Sequence, residues 1–81
     1  LMLLARAKVA LGEAEAAVAI YEQALSLNPN DADGHNELAE ALIGLGRREE
    51  ATAHFQAAIT ADPNHEDALF NLETVRKDLG K

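Results

Sequence analysis

The sequence predicts an all-α fold of stacked helix–turn–helix hairpins, two units followed by one closing helix. Three observations carry this. The hydrophobic residues, 48% of the chain, are mostly Ala and Leu, which favour helices and are poor strand formers. Two prolines in similar surroundings, Pro29 in SLNPND and Pro63 in TADPNH, lie 34 positions apart. A shift of the whole chain by those 34 positions brings many more residues into phase. Leu4, Leu38 and Leu72 align, as do Leu11, Leu45 and Leu79, and Gly12, Gly46 and Gly80. Ala17 falls on Ala51, Tyr21 on Phe55, Ala24 on Ala58, and Leu25 on Ile59.

The elements follow in order. The first unit runs from Leu1 to Leu27, its first helix ending near Leu11 and Gly12, its second stopping before Pro29. Proline lacks the N–H a helix needs and clashes with the preceding turn, so Pro29 is a hinge. Asp31 can cap the next helix, and Leu38, Leu42 and Leu45 give it an apolar stripe of helical period. Gly46 can end it in the left-handed conformation. The fourth helix is expected over Glu49–Ala61, with Ala51, Phe55, Ala58 and Ile59 inward and two carboxylates at its positive end. Pro63 forbids its extension, and a fifth helix follows over Glu66–Leu79. The small residues Ala5, Ala17, Ala24, Ala39, Ala51 and Ala58 are expected to receive large ones from facing helices, chiefly Tyr21 and Phe55.

This pattern resembles the tetratricopeptide repeat (TPR), a helix–turn–helix of the form W-x2-L-G-x2-Y, then A-x3-F, then P. The second unit matches with His35-x2-Leu38-Ala39-x2-Leu42, Ala51-x3-Phe55 and Pro63. The first matches with Leu1-x2-Leu4-Ala5-x2-Lys8, Ala17-x3-Tyr21 and Pro29. His35 and Leu1 replace the tryptophan, and Lys8 replaces the second aromatic. The resemblance covers the whole chain and implies an α-solenoid. It implies a single domain over 1–81, with a first repeat at 1–31 shortened at its N-terminus, a second at 32–65 and a capping helix at 66–81.

Both ends carry expectations. Glu73 stands where the earlier units have Ala5 and Ala39, and it can pair with Lys77 one turn on. A solvated cap helix is expected there, with Lys81 close to the end of the array. At the other end, Leu1, Met2, Leu3 and Leu4 crowd the first helix with apolar groups. The start at Leu1 rather than Met suggests an excised piece, and the apolar face is expected to be covered by further chain or by a second copy.

The net charge is −7, without a basic stripe, which argues against nucleic acid and anionic membrane surfaces. Cysteine is absent, so disulfide and thiolate chemistry are excluded. No apolar run approaches the ~20 residues that span a bilayer. A cytoplasmic setting is expected, the periplasm remaining open. The histidines fall in separate settings: His35 in the tryptophan slot, His54 on an exterior helix face, His65 in the hinge. None has metal-ligand spacing to another His or Cys. His65-Glu66-Asp67 reads as a capped, acidic first helical turn. Ser26, Thr52, Thr60 and Thr74 have no neighbouring base, and no glycine-rich phosphate loop exists. No catalysis, cofactor or metal is expected.

Binding is the better class. The resemblance implies a groove lined by the first helix of each unit. There the partner-facing positions carry Met2, Arg6, Val9, Asp33, Asn36, Glu37, Glu40, Ile43, Asp67, Phe70, Asn71, Thr74 and Lys77. Some family members clamp a C-terminal carboxylate with a Lys, Asn, Asn, Lys, Arg set. The matching positions here are Met2, Arg6, Glu37, Asp67 and Asn71, and the two acids rule that clamp out. A peptide or helix of neutral to basic character is the expected partner. Self-association through the N-terminal apolar face, giving a homodimer, is the competing reading.

Overall fold

The computed structural model describes residues 1–80; Lys81 lies outside the described residues. Five helices follow one another: α1 (Met2–Ala10), α2 (Ala14–Leu27), α3 (Ala32–Gly44), α4 (Arg48–Ala61) and α5 (Glu66–Asp78). No strand occurs among the described residues. Each helix packs on the next in sequence, so α1 and α2 form one hairpin, α3 and α4 a second, and α5 closes against α4.

Sequence chemistry explains each break. Gly12 and Gly46 have φ of 79° and 78°, the left-handed region that costs a residue with a Cβ. Around Gly46 the C-terminus of α3 is closed by two bonds, Gly46 N–H to the Ile43 carbonyl and Arg47 N–H to the Leu42 carbonyl, each 2.9 Å. The same pair recurs at Gly12, where Gly12 N–H bonds the Val9 carbonyl and Glu13 N–H the Lys8 carbonyl. The proline hinges also repeat. Asp31 N–H closes onto the Asn28 carbonyl at 3.2 Å, and His65 N–H onto the Asp62 carbonyl at 3.1 Å. Each turn encloses a proline where its fixed φ fits.

The core follows the small-against-large scheme. Ala5, Ala17, Ala39, Ala51 and Ala58 are fully buried, while Ala24 is half-buried. Tyr21, Phe55, Leu38 and Leu42 are the largest wholly enclosed side chains. The register of the repeat also sets the first helix apart. Leu38 is 0% exposed and Leu72 8%, whereas their equivalent Leu4 is 50% exposed, because no helix packs on its outer side. Glu73 is solvated, but it makes no ion pair with Lys77. Nor is the exposed surface of α5 wholly polar: Leu69 and Phe70 are both exposed.

Candidate partner-binding face

The first helices α1, α3 and α5 lie side by side, joined by side chains rather than close backbone packing. Arg6 of α1 grips Glu37 of α3 with two bonds, Nε to Oε1 at 2.8 Å and Nη2 to Oε2 at 2.7 Å. Such a two-pronged pair is geometrically specific as well as charged. The buried Tyr21 hydroxyl of α2 donates to the same carboxylate at 2.9 Å. Burial first, and then the Glu37 bond, push the Tyr21 phenol upward from its ordinary pKa.

Between α3 and α5 the contact is an amide network. Asn71 Nδ2 donates to Asn36 Oδ1 and to Glu40 Oε2, both at 3.2 Å. Nearer the helix starts, His65 caps α5 by accepting Ala68 N–H at Nδ1, 3.1 Å away. That bond needs the Nδ1 lone pair, so Nε2 carries the hydrogen and donates to Asp33 Oδ1 at 2.8 Å. In α3 the capping place is taken by Asp31, which accepts Gly34 N–H at 3.0 Å.

These contacts sort the expected partner-facing residues. Arg6, Val9, Asp33, Glu40, Asp67, Phe70, Thr74 and Lys77 are exposed, and Met2, Ile43 and Asn71 are partly so. Asn36 is only 5% exposed and its side-chain oxygen is occupied by Asn71, so it joins α3 to α5 rather than meeting solvent. Glu37 is likewise engaged by Arg6 and Tyr21. The acidic middle of the face therefore reduces mainly to Glu40, with Asp33 and Asp67 beside it.

The histidines need a larger correction. His35 and His54 are not in separate settings; their rings stack, with centroids 5.3 Å apart, and their Nδ1 atoms are 3.1 Å apart. His35 Nε2 lies 2.7 Å from the Pro29 carbonyl oxygen. Sequence reasoning missed this because neither helical period nor the repeat relates the two positions. His54 is half-buried, and desolvation, then the neighbouring His35, push its pKa below the ordinary value, against the Glu22 and Glu50 carboxylates. No group of three or more metal-ligating side chains occurs among the described residues. No described helix is long and apolar enough to cross a membrane.

With five helices in phased hairpins, left-handed glycine stops and proline hinges, the fold defines a class: a helical-repeat scaffold. A family model described as Tetratricopeptide repeat matches residues 8–74, and the chain belongs to that family. No curated protein matches the chain. Membership supports a general role as a scaffold for protein–protein interaction.

Proposed function

We propose that this chain is a non-catalytic interaction module that binds a peptide or a helix of a partner protein along the α1–α3–α5 face. The observation that carries the reading is Phe70, 71% exposed on α5 at the repeat position where α3 has the covered Asn36. A large aromatic group held in water is a ready anchor for a partner. With Val9 and Ile43 it gives the face apolar contacts, among acids that favour a neutral to basic segment. Selection of binders from a random displayed peptide library, followed by calorimetry, tests this. Phe70→Ser is expected to weaken the selected peptides at least tenfold with helix content unchanged. Equal affinity for both forms would remove Phe70 from the site.

A second reading, dimerisation through the N-terminal face, is favoured by one observation. Leu1, Leu3 and Leu4 are exposed together, and Leu4 is the only described member of its repeat set left outside the core. Exposed apolar residues of this size, close together in the chain, favour association with another surface. Sedimentation over a concentration series separates the readings, since only the second requires a dimer.

A further inference from the structure

One contact between neighbouring first helices occurs twice in the chain, one repeat apart, with different chemistry. At the first junction Arg6 meets Glu37; at the second Glu40 meets Asn71. Each pair is separated by 31 residues, and Glu40 and Asn71 occupy the repeat positions of Arg6 and Glu37. The supporting aromatic changes as well. Tyr21 places its hydroxyl on Glu37, whereas Phe55, at the position of Tyr21, has no hydroxyl to place.

The first junction is thereby closed, its carboxylate satisfied by a guanidinium and a phenol. The second is left open. A cavity of about 160 Å³ lies there, lined by Glu40, Ile43, Phe55, Asn71, Thr74 and Val75, with the Asp78 carboxylate also at its wall. Its lining combines the hydrocarbon of Ile43, Phe55 and Val75 with the acidic Glu40 and Asp78. Glu40 receives a single hydrogen bond, from Asn71, and no ion pair among the described residues. Partial burial pushes its carboxyl upward from the ordinary pKa, against the Asn71 bond, and the Glu37 and Asp67 carboxylates push the same way.

We propose that this cavity takes a lysine or arginine side chain of the partner, its cation on the Glu40 carboxylate and its alkyl stem against Ile43 and Val75. The incoming cation supplies the charge that Arg6 supplies at the first junction. Long basic side chains suit such a place, since their stems cover apolar surface while their heads stay polar. A neutral apolar side chain would desolvate Glu40 further without pairing it, and an acidic one would be repelled. The inference rests on the reading of this face as partner-binding and fixes its occupant at one position.

The test is a titration of the ¹⁵N-labelled chain with N-acetyl-lysine methylamide, beside the norleucine analogue, which has a comparable stem and no charge. The lysine probe is expected to shift the Ile43 and Val75 amides and the Asn71 side-chain NH₂ in a saturable way. The norleucine probe should require at least tenfold higher concentration, and Glu40→Gln, which keeps the shape and the Asn71 bond, should cost the lysine probe a similar factor. Equal responses to the two probes, or an unchanged response in Glu40→Gln, would overturn the assignment. A selected peptide that binds the α1–α3–α5 face with no basic residue at Glu40 would also overturn it, while leaving the peptide-binding reading intact. Saturable lysine binding in a chain that yields no peptide binder would support the cavity and remove the wider reading.

Discussion

His35 and His54, one from each helix of the second hairpin, share a single hydrogen between Nδ1 atoms 3.1 Å apart. The Pro29 carbonyl can only accept, so His35 Nε2 carries a hydrogen. Neutral His35 then offers a bare Nδ1, and His54 donates its Nδ1–H to it. A proton added to His54 Nε2 leaves this bond intact, whereas a second on His35 Nδ1 would set two N–H groups against each other. Long-range ¹⁵N spectra are expected to show the Nε2–H form of His35 and the Nδ1–H form of His54 at neutral pH.

The pair also gives stability a pH dependence. The folded-state pKa of His54 lies below the free value of about 6.5, so the unfolded chain binds the proton more readily. The contribution is complete above about pH 6.5 and is lost as the pH falls through that value toward the folded one. Melting temperature is expected to drop on acidification from about pH 7 to 5, with a shallower slope in His54→Gln. Glu40 acts with the opposite sign: its raised carboxyl pKa makes protonation favour the folded chain as the pH falls toward the ordinary carboxylate value. Parallel profiles for the parent and His54→Gln would contradict the assignment to this pair.

Packing predicts a second set of outcomes. Phe55, enclosed in the second hairpin, has no room to be replaced from solvent, and Phe55→Ala is expected to cost about 3–5 kcal/mol in chemical denaturation. A Cβ added at Gly46 would meet no atom within 4 Å, so the cost of Gly46→Val is expected from the left-handed backbone, about 1–3 kcal/mol. Gly44→Ala in the same helix, free of that conformation, should instead be neutral or stabilising.

The Tyr21 hydroxyl is separable from its ring. Phenylalanine already fills the equivalent position in the second hairpin, so Tyr21→Phe keeps the packing and removes only the bond to Glu37. A loss of about 1–2 kcal/mol is expected, as for a bond to a charged group. An unchanged midpoint would mean that Arg6 alone satisfies Glu37.

How much of this was legible in the sequence depends on the distance over which each feature acts. The breaks at Gly12, Pro29, Gly46 and Pro63 are local backbone rules, and the buried alanines repeat in phase, so both could be read directly. The cap of α3 by Asp31 was legible for the same reason. The side chains joining α1, α3 and α5 were not, because their 31-residue spacing is neither a helical period nor the repeat itself. It equals the repeat less about one turn, and that recurring offset is the signal that could have revealed them. Asn36 was assigned to a partner because helix position alone cannot show that Asn71 covers it. The reversal of Glu37 to lysine, which charge alone would recommend as a binding test, would break the Tyr21 and Arg6 contacts; Glu40 is the informative acid.

The apolar N-terminal face makes its own prediction. If a second copy covers it, the melting temperature rises with protein concentration by mass action. Leu1→Glu with Leu3→Glu is then expected to shift the chain toward monomer in sedimentation. A monomer at millimolar concentration, with a melting temperature indifferent to dilution, would contradict dimerisation.

Partner binding on the α1–α3–α5 face is open to direct observation by chemical-shift mapping of a library-selected peptide on the ¹⁵N-labelled chain. Saturable shifts are expected, concentrated at Val9, Glu40, Ile43, Phe70 and Thr74 and weakening as added salt screens the acidic groups. Shifts confined to Leu1–Leu4 or to the outer sides of α2 and α4, or a library that yields no binder, would contradict binding on this face.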